Sequence, residues 1–383
     1  MVRSIFIFLL IGSTLPLRAQ EPAPADSLRK KPSGGLYNRI LYYLEHTHEE
    51  KKKRPFDVSF IGGPVYTPET SAGIAVMAAA RYSTDRKDSL LPVSSAAIYA
   101  SGSLTGFYGI GLNSTTIFPR DRFRLAVKAS FSSRPNKYWG IGYDAGSNKD
   151  GYTEFVQVTE KIQADISYRL APRLFAGVST FLQNVKANNI DTAGGGKPYP
   201  IPEQRAGFGA GPFVVFDSRD FIPNAYKGIY VRLGYKYFPS FLGNKTQFSR
   251  FDLQFDWYRQ LWQGAVLATD LYAEEHSGDV PWSFLAEAGG NRLRGYYEGR
   301  FRDKNFVAVQ AELRQKIYRR SGAVVWIGAG NVAPSFREWT LRQSLISYGI
   351  GYRWEFKKRI NIRLDYGRGK DQNGFYFGIN EVF

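Results

Sequence analysis

From Asp57 to Phe383 the chain alternates apolar and polar side chains with a period of two. Phe251, Leu253, Phe255 and Trp257 fall on one face of an extended segment, and Asp252, Gln254, Asp256 and Tyr258 on the other. Phe123, Leu125, Val127, Ala129 and Phe131 alternate with Arg124, Lys128, Ser130 and Ser132. Val307, Val309, Ala311 and Leu313 alternate with Gln310, Glu312 and Arg314; Ile360, Ile362, Leu364 and Tyr366 alternate with Asn361, Arg363 and Asp365. Such alternation predicts half-buried strands. They fall at 57–66, 73–82, 94–104, 108–119, 123–133, 153–169, 174–185, 206–216, 229–238, 248–259, 263–276, 305–317, 323–331, 345–354, 360–367 and 375–383. A soluble sandwich also alternates, but its polar face looks outward to water. Here the polar face carries so many charges that it can be the inner one only if water fills the interior, because a packed core tolerates few. An all-β, transmembrane antiparallel β-barrel of about 16 strands satisfies both faces, with hydrocarbon outside and a wet lumen within.

The ends of the segments carry further organisation. Short connections such as Arg120-Asp121-Arg122 alternate with longer ones such as Pro135 to Gly151, the asymmetry of periplasmic turns and extracellular loops. The longest, Pro281 to Lys304, follows the eleventh strand and sets Arg292, Arg294, Arg300 and Arg302 in a frame of glycines. Planar guanidiniums suit carboxylates, and such a loop can fold inward to meet an acidic wall.

Before the barrel, residues 1–19 read as a secretory signal peptide. Arg3 gives the positive start, Ile5 to Ile11 the apolar core, and Leu17-Arg18-Ala19 the cleavage site. Residues 20–56 read as a periplasmic linker, with Leu36, Ile40, Tyr43, Leu44 and Thr47 marking a short N-terminal amphipathic helix over 36–52. The barrel is expected over 57–383.

Composition narrows the chemistry. The 383 residues contain 25 Tyr and 28 Phe, which suits interfacial aromatic girdles. Beyond the signal, no run approaches the ~20 apolar residues of a spanning helix. The absence of Cys excludes disulfides and thiolate chemistry. The formal charge of +17 would suit nucleic acid, but an exported chain meets outer-membrane lipid and lipopolysaccharide instead, so no nucleic-acid partner is expected. The run Lys51-Lys52-Lys53-Arg54 reads as solvated.

Four stretches carry a family resemblance. Leu293-Arg294-Gly295-Tyr296 in the long connection resembles the Arg-Gly-aromatic signature of the sixth extracellular loop in the BamA/TamA (bacterial surface antigen) superfamily. Asp217, Arg219 and Asp220, with Pro223 and Gly228, are similar to that family's turn between barrel strands. Ala311-Glu312-Leu313-Arg314 resembles the strand whose inward Glu receives the loop arginine, and Arg363-Leu364-Asp365-Tyr366-Gly367 the penultimate strand. The ending on Phe383, after Phe375, Phe377 and Ile379 on one face, resembles the terminal assembly signal of outer-membrane barrels, with Glu381 placed near the rim. The resemblance implies that Arg294 pairs with Glu312 in the lumen. Where the family often has a second Asp this chain has Gly328, and Asp365 is the candidate substitute. Residues 21–56 are too short for a POTRA domain, so a branch without them is expected.

The resemblance implies a barrel of the bacterial outer membrane that assists insertion, assembly or translocation of outer-membrane or surface components. Nascent outer-membrane proteins or other envelope proteins would then be its partners. A passive pore, a structural barrel and a barrel subunit of a larger envelope complex are the alternatives. No catalytic, cofactor or metal residues stand out. His46 and His48 point apart on a helix, and His276 and Ser277 face opposite ways on a strand. The first strand contains Gly62, Gly63 and Pro64, which weaken pairing, so its seam with the last strand is expected to be the weakest.

Overall fold

The computed structural model describes residues 56–67, 71–85, 88, 91–191, 199–201 and 206–383. The expected signal peptide, linker, helix and His46/His48 pair lie outside the described residues.

Sixteen strands form one antiparallel sheet in chain order. They are β1 (Phe56–Thr67), β2 (Ser71–Tyr82), β3 (Ser94–Ser103), β4 (Tyr108–Ile117), β5 (Phe123–Tyr138), β6 (Thr153–Ala171), β7 (Leu174–Asp191), β8 (Ala206–Asp217), β9 (Gly228–Phe238), β10 (Phe248–Trp262) and β11 (Ala265–Gly278). After the long connection follow β14 (Asn305–Tyr318), β15 (Ser321–Ala333), β16 (Leu345–Lys357), β17 (Ile360–Gly369) and β18 (Gln372–Ile379). Two-residue strands β12 (Ala286–Glu287) and β13 (Arg302–Asp303) pair with each other inside that connection.

The polarity of the sheet is inverted relative to a soluble protein. Phe251, Phe255, Val309, Ile327, Ile350 and Leu364 are exposed, whereas Asp252, Asp256, Asp270, Glu312 and Asp365 are buried. Only hydrocarbon satisfies such an exterior. Among the described residues no helix is long and apolar enough to cross a membrane, so the strands cross it. Outward aromatic pairs tie neighbouring strands, as where Phe123 meets Tyr168 at 5.0 Å and Tyr366 meets Phe375 at 4.7 Å between ring centroids.

The sheet curls around the long connection. Side chains or backbone of residues 283–297 meet Asn136 on β5, Gln183 on β7, Asp270 on β11, Glu312 on β14, Asp365 on β17 and Tyr376 on β18. Strands so far apart in the sheet reach one loop only if the sheet rolls into a barrel.

Three sequence expectations change. First, the ladder does not run from β18 back to β1, so these strands are the two edges of the sheet. They face each other nonetheless: the rings of Tyr66 and Phe375 lie 6.3 Å apart, and below the end of β18 Lys357 Nζ, at the end of β16, donates to Ser59 Oγ of β1 at 2.5 Å. Second, the last strand stops at Ile379 instead of Phe383. Asn380 takes a left-handed turn (φ 69°), so Phe383 does not share the outward face. Third, β5 and β7 run on to Tyr138 and Asp191, past their expected ends. Beyond the hydrocarbon the ladder needs no alternation, and polar residues such as Lys186 and Asn188 continue it.

Candidate functional site

The long connection folds as an inward hairpin. The β12–β13 pair closes its stem, Ala288 N–H donates to Phe301 O at 2.9 Å, and Gly299 N–H donates to Ala288 O at 3.1 Å. Leu293, Tyr296, Phe301, Phe306, Val332 and Leu345 form one buried cluster that glues the hairpin to β14, β15 and β16. Burying apolar side chains of this size stabilises by about 1.5–3 kcal/mol each.

At the tip, Arg294 is fully buried. Its Nη1 donates to Asp365 Oδ2 at 2.9 Å, and its Nη2 donates to Glu312 Oε1 and to Gln310 Oε1, the latter at 3.3 Å. The guanidinium carbon lies 3.8 Å from the ring centre of Trp326. The Arg294 carbonyl accepts from Ser347 Oγ, and Gly295 N–H donates to Tyr376 Oη at 2.8 Å. Gly295 has φ 101° and sits against the backbone of Arg368 and Gly369, where a Cβ would come within 2.6 Å of a main-chain atom. Tyr296 is also fully buried, and its hydroxyl donates to Ile346 O at 2.8 Å and accepts from Lys370 N–H at 2.9 Å. Burial raises the Tyr296 pKa above that of a free phenol.

Around Arg294 the wall charges interlock. Glu312 also accepts from Arg314 at 2.8 Å, and Asp365 from Arg353 at 2.5 Å and Arg363 at 3.2 Å. Glu381 accepts from Arg353 at 2.8 Å and from Asn361 at 2.7 Å, so it lies inside the barrel, not at the rim. These ion pairs draw the tail inward, which is why the strand ends early. Phe383 packs against Tyr258, Ala225 and Ala268, and its carbonyl accepts from Arg314 at 3.1 Å. The other loop arginines divide their roles. Arg292 binds Asp270 at 2.8 Å and Arg302 meets Glu287 at 3.0 Å, whereas Arg300 donates to the Gly146 carbonyl at 2.7 Å. Burial lowers the Arg300 pKa.

The turn between β8 and β9 is built from the expected residues. Arg219 donates to both oxygens of Asp217 at 2.9 and 2.8 Å. Burial opposes the Arg219 charge, but Asp217 outweighs it and holds the pKa above the ordinary arginine value. Asp220 accepts the N–H groups of Tyr226 and Lys227 at 2.9 and 3.2 Å and Arg359 Nη2 at 2.8 Å. Partial burial raises the Asp220 pKa, but these donors reverse it and leave it below the usual carboxylate value. Gly228 has φ 115° and would bring a Cβ to 2.4 Å from the Ser218 carbonyl oxygen. The Pro223 carbonyl accepts from Glu381 N–H at 3.4 Å, joining the turn to the inward tail.

The arrangement is a rigid wall over β14–β18 with a loop locked into it. Residues 202–383, which contain the turn, the loop and every partner of Arg294 named above, match the Omp85 superfamily domain. The chain carries an Omp85 superfamily domain over these residues. It is therefore a protein of the bacterial outer membrane. Among solved structures it is similar to BamA from Haemophilus ducreyi lacking POTRA domains 1–3, with a TM-score of 0.56 at 14% identity over 86% of this chain and 71% of that one. It is similar to CdiB from Escherichia coli, with a TM-score of 0.57 at 10% identity over 86% of this chain and 63% of that one. CdiB from Acinetobacter baumannii gives 0.50 at 12% identity, over 90% and 67% of the two chains. At such identities the likeness shows the fold alone. No curated protein matches the chain in sequence.

Several members of this Omp85-superfamily site escape sequence reasoning. Trp326, Ser347 and Tyr376 touch the tip from three strands, but each reads in sequence as an ordinary inward residue. Gly367 and Gly369 had a usable signal, two glycines on the inward face beside Asp365. His276 is buried, with Nδ1 3.1 Å from Lys304 O, while the Ser277 hydroxyl pairs with Ser249 at 2.8 Å.

Proposed function

We propose that the barrel assists insertion, assembly or translocation of outer-membrane or surface components, and that it works by parting β1 from β18. The carrying observation is the pair of facing strand edges that no ladder joins. An unpaired edge offers a row of N–H and C=O groups to an incoming strand. The work of opening is concentrated there, because every other strand neighbour is hydrogen-bonded and the Arg294 lock stiffens the wall next to β18. The Omp85 superfamily domain over residues 202–383 supports the reading. The partners would be nascent outer-membrane or surface proteins.

The test is a cross-link. Cysteines at Tyr66 and Phe375, joined by a short bismaleimide in living cells, should halt outer-membrane protein assembly. The same double variant without reagent should not. Normal outer-membrane protein levels after depletion of the chain would defeat the proposal.

A further inference from the structure

The tip of the loop hairpin is held against β14–β18, and beside β3–β7 the lumen keeps open space. A cavity there leaves about 190 Å³ for the centres of water-sized groups. Tyr99, Asn113, Lys128, Ser130, Lys161 and Phe181 line it. Register puts Ser130 opposite Lys161 and Gln163 opposite Lys128, so the two lysines sit on one inward face, diagonally across neighbouring strands. Strand spacing and rise place their Cα atoms roughly 8 Å apart.

Two cations in such a position normally share a carboxylate. Elsewhere on the inner wall that is the pattern: Arg232 has Asp165 at 3.1 Å, Lys236 has Asp252 at 3.3 Å, and Arg250 has Glu274 at 3.0 Å. Lys128 and Lys161 have no ion pair among the described residues. On the inward face the acid closest to them in register, Asp165, is taken by Arg232, Gln163 and Ser179, and Glu160 stands opposite Phe131 on the outward face. Their neighbours around the cavity, Asn113, Ser130 and Tyr99, are neutral and offer amide and hydroxyl donors. Tyr99 is held flat to the wall, because Gly111 opposite leaves room for the ring, where a Cβ would fall 2.2 Å from it. Two ammonium groups on flexible stems, ringed by neutral donors, match a multiply charged tetrahedral oxyanion. Phe181 adds an apolar surface for whatever carries that group.

We infer that this open half of the lumen is a binding site for a phosphate-bearing solute, with Lys128 and Lys161 as the paired contacts. It goes beyond the seam-opening function and does not depend on it.

The native chain has no Cys, so a single fluorophore can report on the site. Ala97→Cys places one on the inward face opposite Asn113; Leu341→Cys, in an exposed loop, is the control. In the full-length protein reconstituted in detergent, iodide should quench the Ala97→Cys label several-fold more strongly than caesium, and the control label equally with both. Inorganic phosphate should protect the luminal label better than chloride at matched ionic strength. Both effects should vanish in Lys128→Gln/Lys161→Gln and persist in Lys128→Arg/Lys161→Arg, which also guards against a folding defect. Equal quenching by the two ions overturns the inference, as does a lumen closed to iodide. Phosphate protecting no better than chloride, or either effect surviving the glutamine substitutions, overturns it too.

Discussion

Gly367 on β17 lies directly behind Arg294: a Cβ at Gly367 would stand 2.9 Å from both the Arg294 carbonyl carbon and the Gly295 nitrogen. Both are main-chain atoms, so neither can swing away as a side-chain end would. The loop tip sits where it does because β17 has no side chain at that point.

Gly367→Ala should therefore lift the tip from the wall. The expected cost is about 1–3 kcal/mol, the range for overpacking a filled site. It should be visible as a lower unfolding temperature and as faster proteolysis of residues 289–297. An alanine variant with wild-type melting and protection would show that the backbone adjusts without displacing the loop.

Arg294→Ala leaves Glu312 and Asp365 buried with one fewer positive partner. Breaking a buried pair from one side typically costs about 3–5 kcal/mol. Arg314, Arg353 and Arg363 still bind these acids, so the lower end is expected. Arg294→Lys should rescue little, because an ammonium cannot reach two carboxylates and also stack on Trp326. Heat-modifiability on a gel checks both variants; unchanged mobility shifts would mean the lock contributes nothing to barrel stability.

Asp220 gives a pH prediction. Its folded pKa lies below the ordinary 3.8, so the charged form is favoured by folding. The stabilisation is complete above the unfolded pKa and is lost as pH falls through the lower folded value. The amide proton shifts of Tyr226 and Lys227, followed by NMR in micelles, should titrate with a midpoint below 3.8. A midpoint at or above that value would contradict the hydrogen-bond geometry. Asp220→Asn should abolish the transition.

Phe383→Ala separates two roles for the last residue. If the ring acts inside the folded barrel, the purified variant melts lower than wild type. If it acts as an assembly signal, the variant is depleted from the outer membrane of cells by more than its loss of stability explains. Both effects are expected, because the ring packs against Tyr258 and the alternation of Phe375, Phe377 and Ile379 precedes it.

The strands were legible because each had to present hydrocarbon-compatible residues on one face and water-compatible residues on the other. That demand writes a period of two into segments such as Phe251–Tyr258. It lapses above the membrane, where β5 and β7 continue unannounced. Arg294, Glu312 and Asp365 were readable as a set through their motifs, but the grip of Trp326, Ser347 and Tyr376 was not. Those contacts depend on which strands the rolled sheet brings under the tip, and no local pattern records that. Glu381 and Phe383 misled for a related reason. On an extended strand they would face the rim and the lipid, but a left-handed Asn380 and two arginines turn them inward.

Gln310, Glu312, Trp326, Ser347, Asp365 and Tyr376 all come later in the chain than the arginine they surround. During synthesis and export Arg294 emerges before any of these six partners. The arginine can seat only once the final five long strands have lined up, so its docking is a completion check: in a molecule truncated or misregistered after Lys304, Arg294 has nothing to clasp.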